Sequence, residues 1–151
     1  MMEIVQSWIA PRTTERAAAG GDLIADYHQR SARYCPCERE SFLDEGAFWG
    51  WVEKQGGRGR TFIVLLDSRG KQMSSEAFAE RLGRLRDDGV RRLVLAIGPA
   101  DGWTAASRER ADLLLSFGLM TLPHQLARVV LAEQVYRALT ILAGHPYHCG
   151  H

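Results

Sequence analysis

The second half of the chain alternates between short apolar runs and stretches whose apolar residues recur at helical spacing. Thr61-Phe-Ile-Val-Leu-Leu66 is apolar and β-branched and stops at Asp67, which predicts a buried parallel strand and then a turn through Gly70. Ser74 or Ser75 suits the cap of a following helix, with Glu76 at its positive end. Phe78, Leu82 and Leu85 form its apolar stripe, and Gly89 ends it. Leu93 to Ile97 predicts a second strand and Gly98 to Gly102 a loop. Thr104 or Ser107 starts a helix through Leu114, and Leu115 to Phe117 predict a third strand that breaks at Gly118. Thr121 then reads as an N-cap with Pro123 in the first turn. Leu126, Val129, Val130, Val135, Leu139 and Leu142 recur at helical spacing until Gly144 and Pro146 stop the helix. His124 and Arg128 are four residues apart, on one face near its start, and Glu133 and Arg137 form a second such pair.

The first sixty residues carry a weaker pattern. Glu3 to Ala10 predicts a strand, and Thr14 to Arg33 a helix weakened by Gly20-Gly21. Phe42 to Gln55 reads as a helix or turn, and Gln55 to Arg60 as a loop. Strand–helix alternation from Thr61 predicts an α/β fold with a parallel sheet, whose ligand loops lie at the C-terminal ends of the strands. Three loops fall there, after Leu66, Ile97 and Phe117. The last opens a helix, which leaves backbone N–H groups for a polar or anionic ligand.

Composition narrows the classes. A chain of 151 residues makes one domain able to bury a core, and 46% hydrophobic with 25% charged residues argues against disorder. A net charge of +1 does not announce a nucleic-acid binder, so any RNA affinity comes from local patches or from a dimer that pools them. Arg81, Arg84, Arg91 and Arg92 fit either RNA contact or a charged helix exterior. No apolar run reaches membrane-span length and the N-terminus lacks a signal-peptide pattern, so a soluble cytoplasmic protein is expected. Cys35-Pro36-Cys37, with His148, Cys149 and His151 at the far end, matches no zinc signature. Reduced, structural cysteines and no metal are expected. No G-x-G-x-x-G or lysine-bearing phosphate loop points to a dinucleotide.

The segment MTLPHQLARVVLAEQVYRA from Met120 to Ala138, followed by His145-Pro-Tyr-His148, resembles the C-terminal signature of one family. It is the SPOUT-class ribosomal RNA methyltransferases that N3-methylate a pseudouridine in the large subunit. The resemblance also covers Leu65 to Lys71, Ser74 to Ala79, Ile97-Gly98 with Asp101-Gly102, and Tyr27 with Arg30. It implies a SPOUT-type parallel sheet flanked by helices, with a C-terminal trefoil knot. Residues 1–151 would form one domain, divergent over 1–60 and knotted over 61–148. It also implies S-adenosyl-L-methionine lined by Leu66, Gly98, Phe117, Gly118, Leu119, Met120, Thr121 and Leu122, and a homodimer across which ribosomal RNA lies, in the ribosome.

Methyl transfer to N3 requires removal of a weakly acidic proton, and His124 is the titratable group best placed by sequence as the base. A helix-start histidine that merely bonds a loop reads equally well. Tyr147 and His148 suit stacking on the flipped base or contact with its phosphates, or packing against a neighbouring subunit. Arg128 and Arg137 are candidate phosphate contacts, or a solvated helix face.

The chain departs from the family in four places. The opening strand lacks its Val-Gly-Lys, the second glycine after Gly98 is Pro99, and the basic residue after Tyr-His is Cys149. Gly118 replaces a common serine, which is expected to change little. Pro99 and Cys149 suggest a decayed ribosome-binding relative as the alternative, and the divergent N-terminal part suggests a methyltransferase of another RNA.

Overall fold

The computed structural model describes residues 1–10 and 21–149. Its strands are β1 (Glu3–Ile9), β2 (Cys37–Phe42), β3 (Thr61–Gln72), β4 (Arg92–Ile97) and β5 (Leu113–Ser116). Its helices are α1 (Gly21–Ser31), α2 (Glu45–Lys54), α3 (Ser75–Asp87), α4 (Ala105–Arg110) and α5 (His124–Ala143). The strands pair in parallel in the order β2-β1-β4-β3-β5.

Side chains alternate across a strand, so each central strand feeds two cores. Ile4, Val64, Leu93 and Leu95 face Phe78 and Leu82 of α3 and Leu131 and Val135 of α5. Val5, Ile63, Leu65, Val94 and Ala96 face the opposite way, toward Phe48, Trp49 and Trp103. Covering both faces is why these strands read as unbroken apolar runs. α1 leans on α5, with the rings of Tyr27 and Tyr136 5.9 Å apart. Trp49 ties α2 to α4 by donating its Nε1–H to Ser107 Oγ at 2.8 Å.

The caps resolve two choices the pattern left open. Ser74 accepts from Ala77 N–H to start α3, and Thr104 accepts from Ser107 N–H to start α4. Gly144 closes α5 at φ 73°, as expected of a glycine beyond a helix end.

Several expectations are corrected. Thr121 does not cap α5, which starts only after Pro123 and has no side-chain cap. The proline ring disfavours helical backbone at Leu122, so no helix starts upstream of it. The helix expected to run through Leu114 stops at Arg110. Asp112 then turns the chain into β5, accepting from Ile63 N–H through Oδ2 at 2.7 Å and donating its own N–H to the Ile63 carbonyl at 2.9 Å. The turn at Asp67 to Gly70 is instead a bulge inside β3: both Leu66 and Lys71 oppose Leu115, and the residues between loop out. β2 was not expected at all. Its sequence, CERESF, is mostly polar because it is an edge strand with Glu38, Arg39 and Ser41 exposed. Of the helix expected over 14–33, α1 supplies 21–31, while 14–20 lie outside the described residues.

Candidate active site

The bulge of β3, the loop after β4 and the loop after β5 converge at the C-terminal edge of the sheet. Together they wall a cavity of about 500 Å³ whose lining includes Leu66, Asp67, Gly98, Pro99, Trp103 and His124. A pocket of about 170 Å³ continues it past Phe117, Gly118 and Met120, and the two share Leu66, Ile97, Thr121 and Leu122. Seven of the eight residues expected at the cofactor therefore border one cleft. Leu119 does not; it is 87% exposed, next to an equally exposed Met120.

Local bonding sets this shape. Trp103 is buried and donates its indole N–H to the Leu66 carbonyl at 3.1 Å, fastening the β4 loop to the end of β3. A Cβ on Gly98 would lie 2.8 Å from Trp103 Nε1, so the close approach of loop and indole requires glycine. Trp103 follows the quoted Asp101-Gly102 directly, yet an apolar residue at a helix start gives no sign of forming a cleft floor. Ser116 Oγ donates to the Gly118 carbonyl at 2.8 Å and accepts its N–H at 3.1 Å. That tight loop holds Gly118 at φ 136°, a conformation side-chain-bearing residues rarely adopt. The replacement of serine by glycine here is therefore not neutral. Gly118→Ser is expected to cost about 1–3 kcal/mol of stability, seen as a lower Tm in a thermal scan; an unchanged Tm would refute the strained loop.

His124 opens α5 at the wall of the larger cavity. It is half-buried, and its Nε2 is enclosed without a hydrogen-bond partner. Burial first, and then the Arg128 guanidinium, hold its pKa below the ordinary imidazole value, against a smaller opposing pull from the backbone of Gly98 and Ile9. It thus presents an uncharged ring at neutral pH. The uncapped start of α5 adds the positive end of its dipole to the same wall.

The two candidate arginines are placed differently from a displayed phosphate grip. Arg128 is 9% exposed, and its guanidinium stacks 3.9 Å over the Trp8 ring. Arg137 donates to Glu133 Oε1 at 2.6 Å and faces His148 Nδ1 at 2.7 Å. A guanidinium only donates, so His148 Nδ1 accepts there and the Nε2–H donates to Glu76 Oε1 at 2.6 Å. Tyr147 donates its hydroxyl to Glu133 Oε1 at 3.0 Å, and burial with its Tyr27 and Glu133 contacts pushes the phenol pKa up. Tyr147 and His148 do not line the cleft; they belong to this network between α3 and α5. Arg92 pairs with Glu3 at 3.1 Å at the opposite edge of the sheet.

Cys35 and Cys37 have their sulfurs 3.9 Å apart, and the Cys35 contact together with burial pushes the Cys37 thiol up. Among the described residues no group of three or more His, Cys, Asp and Glu converges on a metal position, and His151 lies outside them. Among the described residues no helix is long and apolar enough to cross a membrane.

The family model described as "Predicted SPOUT methyltransferase" matches residues 9–148. A protein of Koribacter versatilis named ribosomal RNA large subunit methyltransferase H is 46% identical over 150 residues, covering 99% of this chain and 100% of the relative. A Brucella anthropi protein of the same name is 63% identical over 86 residues, covering 57% of this chain; that stretch spans about half of the relative, 54%. The fold is similar to the AviRb methyltransferase of Streptomyces viridochromogenes, solved with its cofactor AdoMet, at a TM-score of 0.51 and 14% identity over 96% of this chain and 59% of that one. It is also similar to a putative RNA methyltransferase of Bacillus anthracis, at 0.50 and 10% identity over 99% and 98% of the two chains.

Proposed function

The chain belongs to the SPOUT methyltransferase family, and on that premise we propose that it uses S-adenosyl-L-methionine to methylate N3 of a pseudouridine in large-subunit ribosomal RNA, on assembled ribosomes. The observation that carries this reading is the match along the whole chain to a relative named for that RNA, with a cleft where the matched motifs meet.

The cleft fits the cofactor chemically. Leu66, Ile97 and Leu122 offer apolar walls for a purine, while the Asp67 and Asp101 carboxylates suit a ligand carrying positive sulfonium and ammonium groups. Gly98, Phe117, Gly118, Met120, Thr121 and Leu122 would hold it, with Leu119 on the exposed turn of the same loop. Bound there, the cofactor supplies an electrophilic methyl group. The protein then has to place N3 in line with it, for which positioning supplies about 7–11 kcal/mol, and to take the N3 proton. Uncharged His124, its Nε2 without a partner, suits that proton. Pro99 has no N–H to offer, but its carbonyl accepts from Gly102 N–H at 2.8 Å and keeps the loop in shape. This favours a working cleft over a decayed one.

In this reading, residues 61–148 form the knotted part of a single domain of a cytoplasmic homodimer. Exposed Leu119, Met120 and Leu126 supply apolar surface for the second subunit, and RNA lies across both. Arg128 and Arg137 reach phosphate only if their present contacts rearrange.

Transfer of labelled methyl to assembled ribosomes, beside cofactor binding by calorimetry, tests the reading. Label at a pseudouridine of the large-subunit RNA supports it; absence of both label and cofactor binding overturns it. The pH profile tests the base. The active form of His124 is unprotonated and its pKa is lowered, so kcat/KM is expected to rise with pH through a limb below about 6.5 and level off by neutrality. A rate that climbs only in the alkaline range, following the nucleobase itself, removes His124 from the role.

A further inference from the structure

Cys35-Pro36-Cys37 joins the turn after α1 to the start of β2, at the sheet edge opposite the cleft. Both thiols are free and partly exposed, and their sulfurs lie 3.9 Å apart. We infer that Cys35 and Cys37 form a redox site, a dithiol that hydrogen peroxide converts to an intrachain disulfide and that a dithiol reductant restores. The site is independent of methyl transfer and uses none of the groups assigned to the cleft.

The backbone holds the two sulfurs together. Tyr34 N–H donates to the Ser31 carbonyl at 2.9 Å, which closes the turn after α1. Ile4 N–H donates to the Pro36 carbonyl at 2.9 Å, and Ile4 pairs in register with Cys37. One end of the motif is thus anchored to a helix end and the other to β1. Pro36 between them has a fixed φ, which removes freedom that would let the sulfurs separate. A disulfide brings its sulfurs to about 2.05 Å. Both side chains pack against the same apolar core, so rotation about their own bonds supplies that approach.

Access and reactivity divide the roles. Cys35 lines a cavity of about 230 Å³ with Met1, Met2, Leu82, Leu139 and Leu142, and Cys37 does not. That space admits a molecule as small as hydrogen peroxide. The Cys37 contact holds the Cys35 thiol below the ordinary cysteine value, against the opposing effect of burial, while Cys37 itself is pushed up. Cys35 is therefore the attacking thiolate. It bonds one peroxide oxygen, the O–O bond breaks, and the hydroxide leaves as water with the proton that Cys35 gave up. The Cys37 sulfur then attacks the Cys35 sulfenic acid. An S–S bond forms, the S–O bond breaks, and the leaving hydroxyl takes the Cys37 proton as a second water. Two thiols lose two electrons and two protons, and one peroxide takes up both.

The test uses the full chain carrying Cys149→Ser, which removes the exposed third thiol. After peroxide treatment, intact mass and the tryptic peptide of residues 34–39, which carries both cysteines, are read. A chain two hydrogens lighter, with the loss in that peptide and reversal by dithiothreitol, is the expected result. Cys37→Ser in the same background is expected to form no bridge and to accumulate Cys35 sulfenic acid, trapped by dimedone. Cys35→Ser is expected to react at least about tenfold more slowly than Cys37→Ser. Oxygen added at either sulfur without a bridge overturns the site, as does a bridge formed only between two chains. Equal rates in the two serine variants overturn the division of roles. Methyl transfer and cofactor binding are not read, so none of these outcomes bears on the methyltransferase reading.

Discussion

His124→Ala is expected to lower kcat/KM for methyl transfer to assembled ribosomes by roughly 10²–10⁴-fold. Cofactor affinity should change far less, because the groups assigned to the cofactor are the apolar walls and the Asp67 and Asp101 carboxylates rather than this ring. The expectation follows from place and charge state together. Pro123 fixes where α5 starts, so the first helical side chain falls at the cleft wall. There, burial and Arg128 keep the ring uncharged, and Nε2 has no other partner to satisfy. His124→Gln keeps a polar side chain but cannot take up a proton in this range, so it should lose nearly as much and abolish the low-pH limb of the profile. Single-turnover transfer at saturating cofactor measures the chemical step directly. A glutamine variant at wild-type rate would leave His124 a loop contact and no more.

The second large effect concerns stability. A Cβ at Gly70 would lie 2.6 Å from the Leu114 carbonyl carbon and 2.6 Å from the Leu115 nitrogen. Both are backbone atoms, with no flexible tip to swing aside. Gly70 belongs to the bulge that lets β3 meet Leu115 twice, and Leu115 is buried in the core just before the loop that follows β5. Gly70→Ala must therefore part β3 from β5 or flatten the bulge. Overpacking of this kind costs about 1–3 kcal/mol, and each kcal/mol lowers Tm by about 2–4 °C in a chain of this size. Cofactor affinity is expected to fall with it, since β5 ends at the cleft. Gly50→Ala is the control: it sits inside α2 with nothing within 4 Å of an added Cβ, and should be neutral or stabilising by about 0.5–1 kcal/mol. A Gly70→Ala protein that melts with the wild type would refute the close approach.

How much of this was readable in the sequence depended on what each residue packs against. β1, β3 and β4 were legible because both of their faces are covered, which forces runs such as Thr61 to Leu66. β2 was not, since an edge strand facing water has no reason to be apolar. Asp67 to Gly70 has the composition of a turn, and only the neighbouring strand makes it a bulge. The cleft loops were legible because strand ends in a parallel sheet fix where ligand loops fall. Trp103 was not, because its importance lies in one bond to Leu66 and one contact with Gly98, neither of which leaves a periodic trace. Spacing put His124 and Arg128 on one face of α5. It could not show that Trp8, on a strand more than a hundred residues upstream, would cover the guanidinium.

The order β2-β1-β4-β3-β5 has a consequence for synthesis. β1 leaves the ribosome first and can pair with β2 after about forty residues, but its other neighbour, β4, ends only at Ile97. For that interval the nascent chain carries Ile4 and Val5, fully buried in the finished protein, on a strand with one side unpaired. Parallel pairings of long sequence separation form slowly and leave apolar edges open to aggregation. Newly made chains therefore carry that open edge from emergence of β2 to emergence of β4, and the sheet face that packs on α5 stays uncovered until α5 follows. Expression yield should depend on translation speed and chaperone supply from residue 43 until α5 has emerged.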